Sequence, residues 1–294
     1  MPNISLSSRC NLHCPYCFAH ETMGAGSGDI TLENFDAALE FLTRTGPVNI
    51  GLIGGEPTLH PHFDEIVRRA VACENVAMLT VYTNGLLIEK HADVLSLPKV
   101  TLLVNWNAPS ELREGAFERI MCGVDELVFN RGMGRRINLG LNLHGETMEY
   151  GYMLDLLKRY GFDKVRISLT VLEFPEGCGQ NAIERFRACK PFLLKMFADM
   201  DAIGVLPYYD CNRPPWCIWS DEEKRWLRDL AARHVPHGTC LKGSGPMLGL
   251  SLDAEQGCWR SVCIHGRSRY CRLLKTFVIV IGKSEHEAAR RILM

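Results

Sequence analysis

The chain has 294 residues, of which 47% are hydrophobic, and a formal net charge of −1. This composition excludes a disordered chain, and the length is enough for one large domain or a domain with an appendage. No basic excess indicates a nucleic-acid partner, and no apolar run approaches the ~20 residues of a membrane span. The N-terminus lacks the charged and apolar regions of a secretory signal, so we expect a cytoplasmic protein without a membrane partner.

Strand and helix patterns alternate over the first 170 residues. Strands are predicted at residues 3–8, 48–53, 76–82, 100–107, 137–143 and 164–170. Apolar residues at helical spacing, such as Phe63, Ile66, Val67 and Ala70, predict amphipathic helices between them. Six strand–helix units at ~30 residues each match a (β/α)8 barrel that lacks two units. The predicted fold is therefore α/β, a partial (β/α)6 TIM-like barrel of parallel strands.

Two of the predicted strands, 137–143 and 164–170, alternate strictly between apolar and polar residues, whereas buried parallel strands are usually apolar throughout. If the apolar side chains face the helices, the polar ones point into the lumen. These are Asn138, Asn142, Arg166, Ser168 and Thr170. The pattern predicts a lumen that holds water or a polar ligand; the alternative is one solvated face of an open antiparallel sheet.

The pattern changes beyond residue 170. A helical segment at 181–200 contains Pro191, which predicts a kinked helix or two helices. A loop rich in proline, cysteine and tryptophan follows at 208–219, then a helix at 221–234 and a hairpin-like stretch at 247–264. We place a boundary near residue 205, with a barrel domain over 1–204 and a small C-terminal cysteine-rich domain over 205–294.

The chain has 13 cysteines, many for a reducing compartment, where thiols more often bind metals or take part in catalysis than form disulfides. Cys10, Cys14 and Cys17 directly follow the first strand, at the end of the barrel where active sites lie. Thiolates favour zinc or an iron–sulfur cluster. A closed site needs four ligands, so three local thiols indicate a cluster with one open iron; a zinc knot or incidental thiols are the alternatives.

The C-x3-C-x2-C spacing, with the aromatic Tyr16 before the last cysteine, resembles the motif of the radical SAM superfamily. The resemblance implies that Cys10, Cys14 and Cys17 hold a [4Fe–4S] cluster whose open iron chelates S-adenosylmethionine (SAM). It further implies that a reductant such as flavodoxin or ferredoxin supplies an electron. SAM is then cleaved to methionine and a 5′-deoxyadenosyl radical, which abstracts hydrogen from the substrate.

The ends of the second and third predicted strands carry motifs that fit this resemblance. Gly54, Gly55, Glu56 and Pro57 resemble the GGEP motif, which receives the SAM amino group, and glycine suits a backbone that a bulky ligand approaches closely. Thr83 begins a Thr-Asn-Gly triplet that many members have at the same place. Without the cysteines, either motif would be an ordinary turn.

Polar residues on later strands correspond to further SAM contacts in the family. Asn105 and Asn107 occupy the places where the family often has Ser and Asp facing the SAM ribose, and amides can still hydrogen-bond its hydroxyls. Asn142 resembles a fifth-strand SAM contact, and Arg166 is positioned to pair with the SAM carboxylate. The alternative for Arg166 is an ion pair with an acidic side chain at the barrel end.

The second group of cysteines resembles the auxiliary-cluster extensions of SPASM and twitch-type radical SAM enzymes. The resemblance implies a second [4Fe–4S] cluster on four ligands: Cys211, Cys217, Cys240 and Cys263. Cys258 and Cys271 compete for these positions, and zinc or free buried thiols are the alternatives. Separately, Cys178 lies in a glycine-rich loop after the sixth strand and is a catalytic candidate as hydrogen donor or substrate ligand.

The substrate is predicted only by class. SPASM and twitch-like extensions are frequent in peptide- and protein-modifying members, so a ribosomal peptide or protein side chain is the first expectation. The chain starts nine residues before Cys10, without a leader-peptide-binding domain, which a separate partner would then have to provide. The alternative is a small molecule such as a nucleotide, sugar or cofactor precursor. An alternative of another class is a non-catalytic iron–sulfur protein that transfers electrons or regulates.

Overall fold

The computed structural model describes residues 1–17, 28–170, 182–209 and 214–234, and the backbone of 278–279. In chain order the elements are β1 (Asn3–Ser5), α1 (Leu32–Thr43), β2 (Val48–Ile53), α2 (Phe63–Ala72), β3 (Val76–Thr83), α3 (Ala92–Leu95), β4 (Val100–Asn105), α4 (Ala116–Asp125), β5 (Ile137–Leu143), α5 (Gly151–Tyr160), β6 (Lys164–Leu169), α6 (Ala182–Ala202), β7 (Leu206–Tyr209), α7 (Asp221–His234) and β8 (Val278–Ile279). None of the helices in these ranges is long and apolar enough to cross a membrane.

The first of two compact units comprises residues 1–105, 114–137 and 276–294. Its strands lie in the order β8-β1-β2-β3-β4, and every neighbouring pair is parallel. Apolar residues at alternate strand positions, such as Ile50 and Leu52, are fully buried together with Ile66 and Val67 of α2. Each such side chain contributes about 1.5–3 kcal/mol by leaving water, so the helix layer holds the strands and fixes where their carboxyl ends lie.

The second unit comprises residues 106–113 and 138–275. Its strands β5, β6 and β7 are parallel neighbours, and α5 and α6 follow β5 and β6 along the chain. In the register of the sheet, Asn142 lies beside Ser168 and Gly140 beside Arg166. Arg166 and Ser168 are only 8% and 3% exposed. These two polar residues of β6 are therefore buried, whereas Asn138 and Asn142 of β5 are half-buried.

Parallel strands that alternate with helices confirm the predicted α/β class and the partial TIM-like barrel. The strands over 48–53 and 137–143 and the helix over 221–234 begin and end where the sequence predicts. Pro191 lies inside one continuous helix, α6, so the two-helix alternative is wrong. Buried residues of α6 that follow the proline, such as Leu193 and Phe197, hold its second half in place.

Two strands end two or more residues earlier than predicted. The first ends at Ser5 instead of residue 8, because Ser7 turns away and forms an antiparallel bridge with Asp29. The fourth ends at Asn105 instead of residue 107, shortly before Pro109 begins a 3₁₀ turn. Asn105 and Asn107 therefore do not share one strand.

The predicted domain boundary near residue 205 is followed directly by β7, which pairs with β6 and continues the parallel sheet. Most of the proposed C-terminal domain, including the predicted hairpin at 247–264, lies outside the described residues. The division into 1–204 and 205–294 stays a prediction.

Candidate functional site

In the first unit, residues 6–17 follow β1 and carry three cysteines (the cysteine loop), and the start of this loop lies against the loop after β2. The N–H of Gly55 donates to the carbonyl oxygen of Ser7 at 2.8 Å, and the N–H of Glu56 donates to that of Arg9, also at 2.8 Å. These two bonds continue the β1–β2 pairing beyond the end of β1. The backbone immediately before Cys10 is thereby fixed on the Gly-Gly-Glu turn.

The two glycines are required by this close backbone approach. A Cβ on Gly54 would lie 2.4 Å from the carbonyl oxygen of Ser7, and one on Gly55 would lie 2.3 Å from that of Arg9. Backbone atoms cannot move aside as a flexible side chain can, so any side chain here would displace the segment. The chain's own cysteine loop thus makes the close backbone approach that was expected of a ligand.

Glu56 has a buried carboxylate that the chain itself satisfies. It is 1% exposed and accepts both the N–H and the hydroxyl of Thr58. It also accepts the Thr83 hydroxyl at 2.8 Å and the Asn84 N–H at 2.7 Å. Burial raises the pKa of Glu56, although these donors act in the opposite direction. Pro57 opens the 3₁₀ turn that presents Thr58. Contact between Glu56 and the SAM amino group stays a prediction.

Asn84 connects the end of β3 to the cysteine loop. Its side-chain Nδ2 donates to Oδ1 of Asn11 at 2.7 Å, and its own Oδ1 accepts the N–H of Leu86 at 3.1 Å. Asn11 lies between Cys10 and Cys14. The Thr-Asn-Gly triplet therefore contacts the loop that carries the cysteines.

An ion pair holds the segment at the start of the same loop. The Arg9 guanidinium lies 2.6 Å from the Asp29 carboxylate and also donates to the carbonyl of Leu59 at 2.9 Å. Asp29 accepts the Ser7 hydroxyl as well. Burial alone would raise the pKa of Asp29, but the bonds from Ser7 and Arg9 outweigh it and hold that pKa below its ordinary value. His60, 3% exposed, contacts the next carbonyl, that of Ile30, at 2.9 Å.

The three cysteines of the loop are half-buried thiols. The N–H of Leu12 points at the Cys10 sulfur at 3.5 Å, and a turn joins the N–H of Cys17 to the carbonyl of Cys14. Burial raises the pKa of Cys10, and the negative charges of Glu56, Cys14 and Cys17 raise it further. A bound cationic iron centre would relieve this repulsion, and three soft donors on one loop suit a cluster with an open corner.

No three histidine, cysteine or acidic side chains in the described ranges form a ready site for a single metal ion. Tyr16, before Cys17, is half-buried in the same loop.

The structure also brings together two of the predicted residues of the second unit. Nη1 of Arg166 donates to Oδ1 of Asn142 at 2.7 Å. Asn107, also in this unit, is 8% exposed. Asn105 belongs to the first unit, at the end of β4. The SAM contacts predicted for these four residues stay predictions.

Cys178 and most of the second cysteine group lie outside the described residues. These cysteines are Cys178, Cys211, Cys240, Cys258, Cys263 and Cys271. Cys217 is described and lies exposed in a short 3₁₀ turn, Trp216–Ile218. The auxiliary cluster stays a prediction.

Sequence reasoning missed three residues that build the site. Thr58 follows the GGEP motif directly, and a hydroxyl at this place could have been predicted to donate to the motif's glutamate. Asn11 lies inside the cysteine motif, at a position that the motif leaves open. Asp29 could not be identified from the sequence as part of the site, because it lies 20 positions from its partner Arg9.

Comparison with known proteins agrees with this geometry. The family model of the Radical SAM superfamily matches residues 4–150, which is half of the chain. A GTP 3′,8-cyclase of Peptoclostridium acidaminophilum is 31% identical over 132 residues, which is 42% of this chain and 41% of that protein. A probable GTP 3′,8-cyclase of Methanocella arvoryzae is 26% identical over 209 residues, 70% of this chain and 59% of the relative.

A solved structure shares the fold. The crystal structure of Streptococcus suis SuiB bound to precursor peptide SuiA superimposes with a TM-score of 0.50 at 17% identity, over 71% of this chain and 48% of that one. At this identity the likeness concerns the fold alone. The chain spans about half the length of the curated relatives it matches.

Proposed function

The chain belongs to the radical SAM superfamily, and from this premise we propose that it cleaves SAM reductively and abstracts hydrogen from a small-molecule substrate of the nucleotide class. Enzymes of this superfamily use a [4Fe–4S] cluster and SAM. The observation that supports the proposal most is the docking of the cysteine loop on two other strand ends, through Gly55 and Asn84. Membership of an enzyme superfamily favours catalysis over the electron-transfer or regulatory alternative.

Cys10, Cys14 and Cys17 would hold the cluster, which supplies the electron that splits SAM into methionine and the hydrogen-abstracting 5′-deoxyadenosyl radical. The chain's own contribution is positional. Backbone bonds from Gly55 and Glu56 fix the start of the loop, so the three thiols are presented at the carboxyl end of β1. The electron donor is a reductant such as flavodoxin or ferredoxin.

In the second unit, Arg166 and Asn142 would bind the polar end of SAM. A buried guanidinium oriented by an amide oxygen can bind a carboxylate with charge-assisted hydrogen bonds. Arg166 is 8% exposed, so such a bond would be shielded from water. Water exclusion matters because a carbon radical must reach only its intended hydrogen.

A nucleotide substrate is supported by relatives with the name GTP 3′,8-cyclase. The peptide or protein side chain expected from the cysteine-rich C-terminal part has less support, because both of these relatives are named for a nucleotide substrate. A second [4Fe–4S] cluster on Cys211, Cys217, Cys240 and Cys263 is part of the proposal.

The test uses the full chain, reconstituted with iron and sulfide without oxygen, and GTP deuterated on its ribose. With SAM and dithionite we expect 5′-deoxyadenosine that carries deuterium, in an amount that rises with GTP. Cys14→Ala should abolish its formation, whereas Cys73→Ala, a half-buried cysteine at the end of α2, should not. Deuterium-free product that GTP leaves unchanged would reject the nucleotide class, and no cleavage by the wild type would reject the activity.

A further inference from the structure

The side-chain bond between Asn84 and Asn11 has a fixed direction. The N–H of Leu86 can only donate, so it must face the oxygen of the Asn84 amide. The NH2 group of Asn84 then faces Asn11, whose Oδ1 accepts it at 2.7 Å. The Leu86 bond closes an Asx turn of the kind that asparagine forms readily. The turn thus aims the amide at the cysteine loop.

Asn84 itself has a rigid attachment. Its backbone N–H donates to the buried carboxylate of Glu56 at 2.7 Å. The Thr83 hydroxyl donates to the same carboxylate and accepts the N–H of Gly85 at 3.0 Å. The turn after β3 is therefore held by a buried carboxyl group on the turn after β2. The Asn84 side chain extends from this fixed turn, so it can fix the position of the residue that it binds.

Asn11 lies one residue after Cys10 and three before Cys14. The backbone bond from Glu56 to Arg9 fixes the chain on one side of Cys10, and the bond from Asn84 fixes it on the other side. Glu56 and Asn84 are themselves joined by a hydrogen bond, so the two attachments belong to one network. The first cysteine is therefore held between two attachments to the barrel.

We propose that Asn84 is a positioning residue for the iron–sulfur cluster, acting through Asn11 to hold the start of the cysteine loop against the turns after β2 and β3. The inference rests on the proposed function, which gives the loop its cluster. Asn84 has no need to touch the cluster or SAM in this role. A loop that must be ordered when the cluster binds has a lower affinity for it, because ordering costs free energy. Loss of the Asn84–Asn11 bond would therefore weaken retention of the cluster.

Two variants isolate the bond. Asn11→Ala removes the acceptor and leaves the Glu56, Thr83 and Leu86 bonds intact. Asn84→Ser retains a hydroxyl that can accept the Leu86 N–H but is too short to reach Asn11. The matched control is Asn75→Ser, because the Asn75 amide also donates to a distant oxygen, the carbonyl of Thr43, at 3.0 Å.

The first readout is hydrogen exchange of residues 10–17 in the cluster-free protein, and the second is the rate at which a chelator strips iron from the reconstituted protein. Each variant should speed both by about three- to tenfold, the range that one net hydrogen bond provides. The double variant should be no faster than the stronger single one, since both remove the same bond. Exchange in α2 and β3 should stay at the wild-type rate.

Wild-type exchange and iron loss in Asn11→Ala would overturn the inference, as would equal acceleration in Asn75→Ser. Additive effects in the double variant would also overturn it, because the two residues would then act separately. These outcomes differ from failure of the proposed function, in which the wild-type loop takes up no cluster at all. The exchange experiment tests the Asn84–Asn11 bond in that case too.

Discussion

The buried carboxylate of Glu56 accepts the backbone N–H of Asn84 at 2.7 Å, and this bond joins the turn after β2 to the turn after β3. Both turns contact the cysteine loop after β1, through the Arg9 carbonyl and the Asn11 amide. The GGEP glutamate therefore has a structural role in this chain. It orders the backbone on which the cysteines are presented.

Glu56→Gln should destabilise the cluster-free protein by about 1–3 kcal/mol, the cost of a buried polar group that loses its partner. Glutamine keeps one acceptor oxygen, and its NH2 group would face donors from Thr58, Thr83 or Asn84. The measurement is urea unfolding of the cluster-free variant. Glu40→Gln, on an exposed position of α1, is the control and should unfold at the wild-type midpoint. Equal midpoints for both variants would show that Glu56 does not organise the turns.

Gly55→Ala should prevent the cysteine loop from docking, because its Cβ would lie 2.3 Å from the Arg9 carbonyl oxygen. Overpacking against backbone costs about 1–3 kcal/mol, and we expect iron retention to fall with it. Gly151→Ala, at the start of α5, is the matched control, since a Cβ there would meet no atom of the described residues within 4 Å. Unfolding and iron content are measured on both; normal iron content in Gly55→Ala would contradict the docking.

Asp29→Asn should change how stability depends on acid. The folded-state pKa of Asp29 lies below its ordinary 3.8, so its ionised form stabilises the fold above that value. This contribution is lost as pH falls through the lowered pKa, because the folded state then has to take up the proton. Wild type should therefore exceed Asp29→Asn in unfolding free energy at neutral pH, and the difference should shrink below about pH 4.

The measurement is urea unfolding at several pH values, with Asp155→Asn, an exposed position of α5, as the control. A constant difference between wild type and Asp29→Asn down to about pH 3 would mean that the ion pair with Arg9 does not stabilise the ionised carboxylate.

The auxiliary cluster is tested by Cys240→Ala, which should remove one cluster's iron and sulfide and leave the SAM-dependent cluster intact. Cys122→Ala, an exposed thiol on α4, should retain both. Full iron retention in Cys240→Ala would show that the ligand set is wrong and would favour Cys258 or Cys271. Zinc in place of the second cluster in the wild type would identify this site as a closed zinc site.

The sequence predicted the fold well where one rule governed a segment. Alternation over Ile137–Leu143 defined a strand with one polar face, on which Asn138 and Asn142 are half-buried. The rule failed at residues 6–8, because Ser7 forms an antiparallel bridge with Asp29 instead of extending β1. Local pattern cannot reveal such a contact, which depends on what lies opposite in the fold.

The candidate site was predictable as a set of motifs but not as a network. The cysteines, the GGEP motif and Thr83 each had a recognisable signature. The bond from Asn84 to Asn11 had none, since an asparagine in a turn and one in a loop are both ordinary there. Asp29 was also hidden, because an ion pair depends on distance in space, which spacing in sequence does not report.

The most direct measurement of the central claim is the electron paramagnetic resonance spectrum of the reduced, reconstituted protein before and after addition of SAM. The account predicts a [4Fe–4S] signal that shifts when SAM binds its open iron and is missing in Cys14→Ala. A signal that SAM leaves unchanged, or zinc on the three thiols, would contradict it.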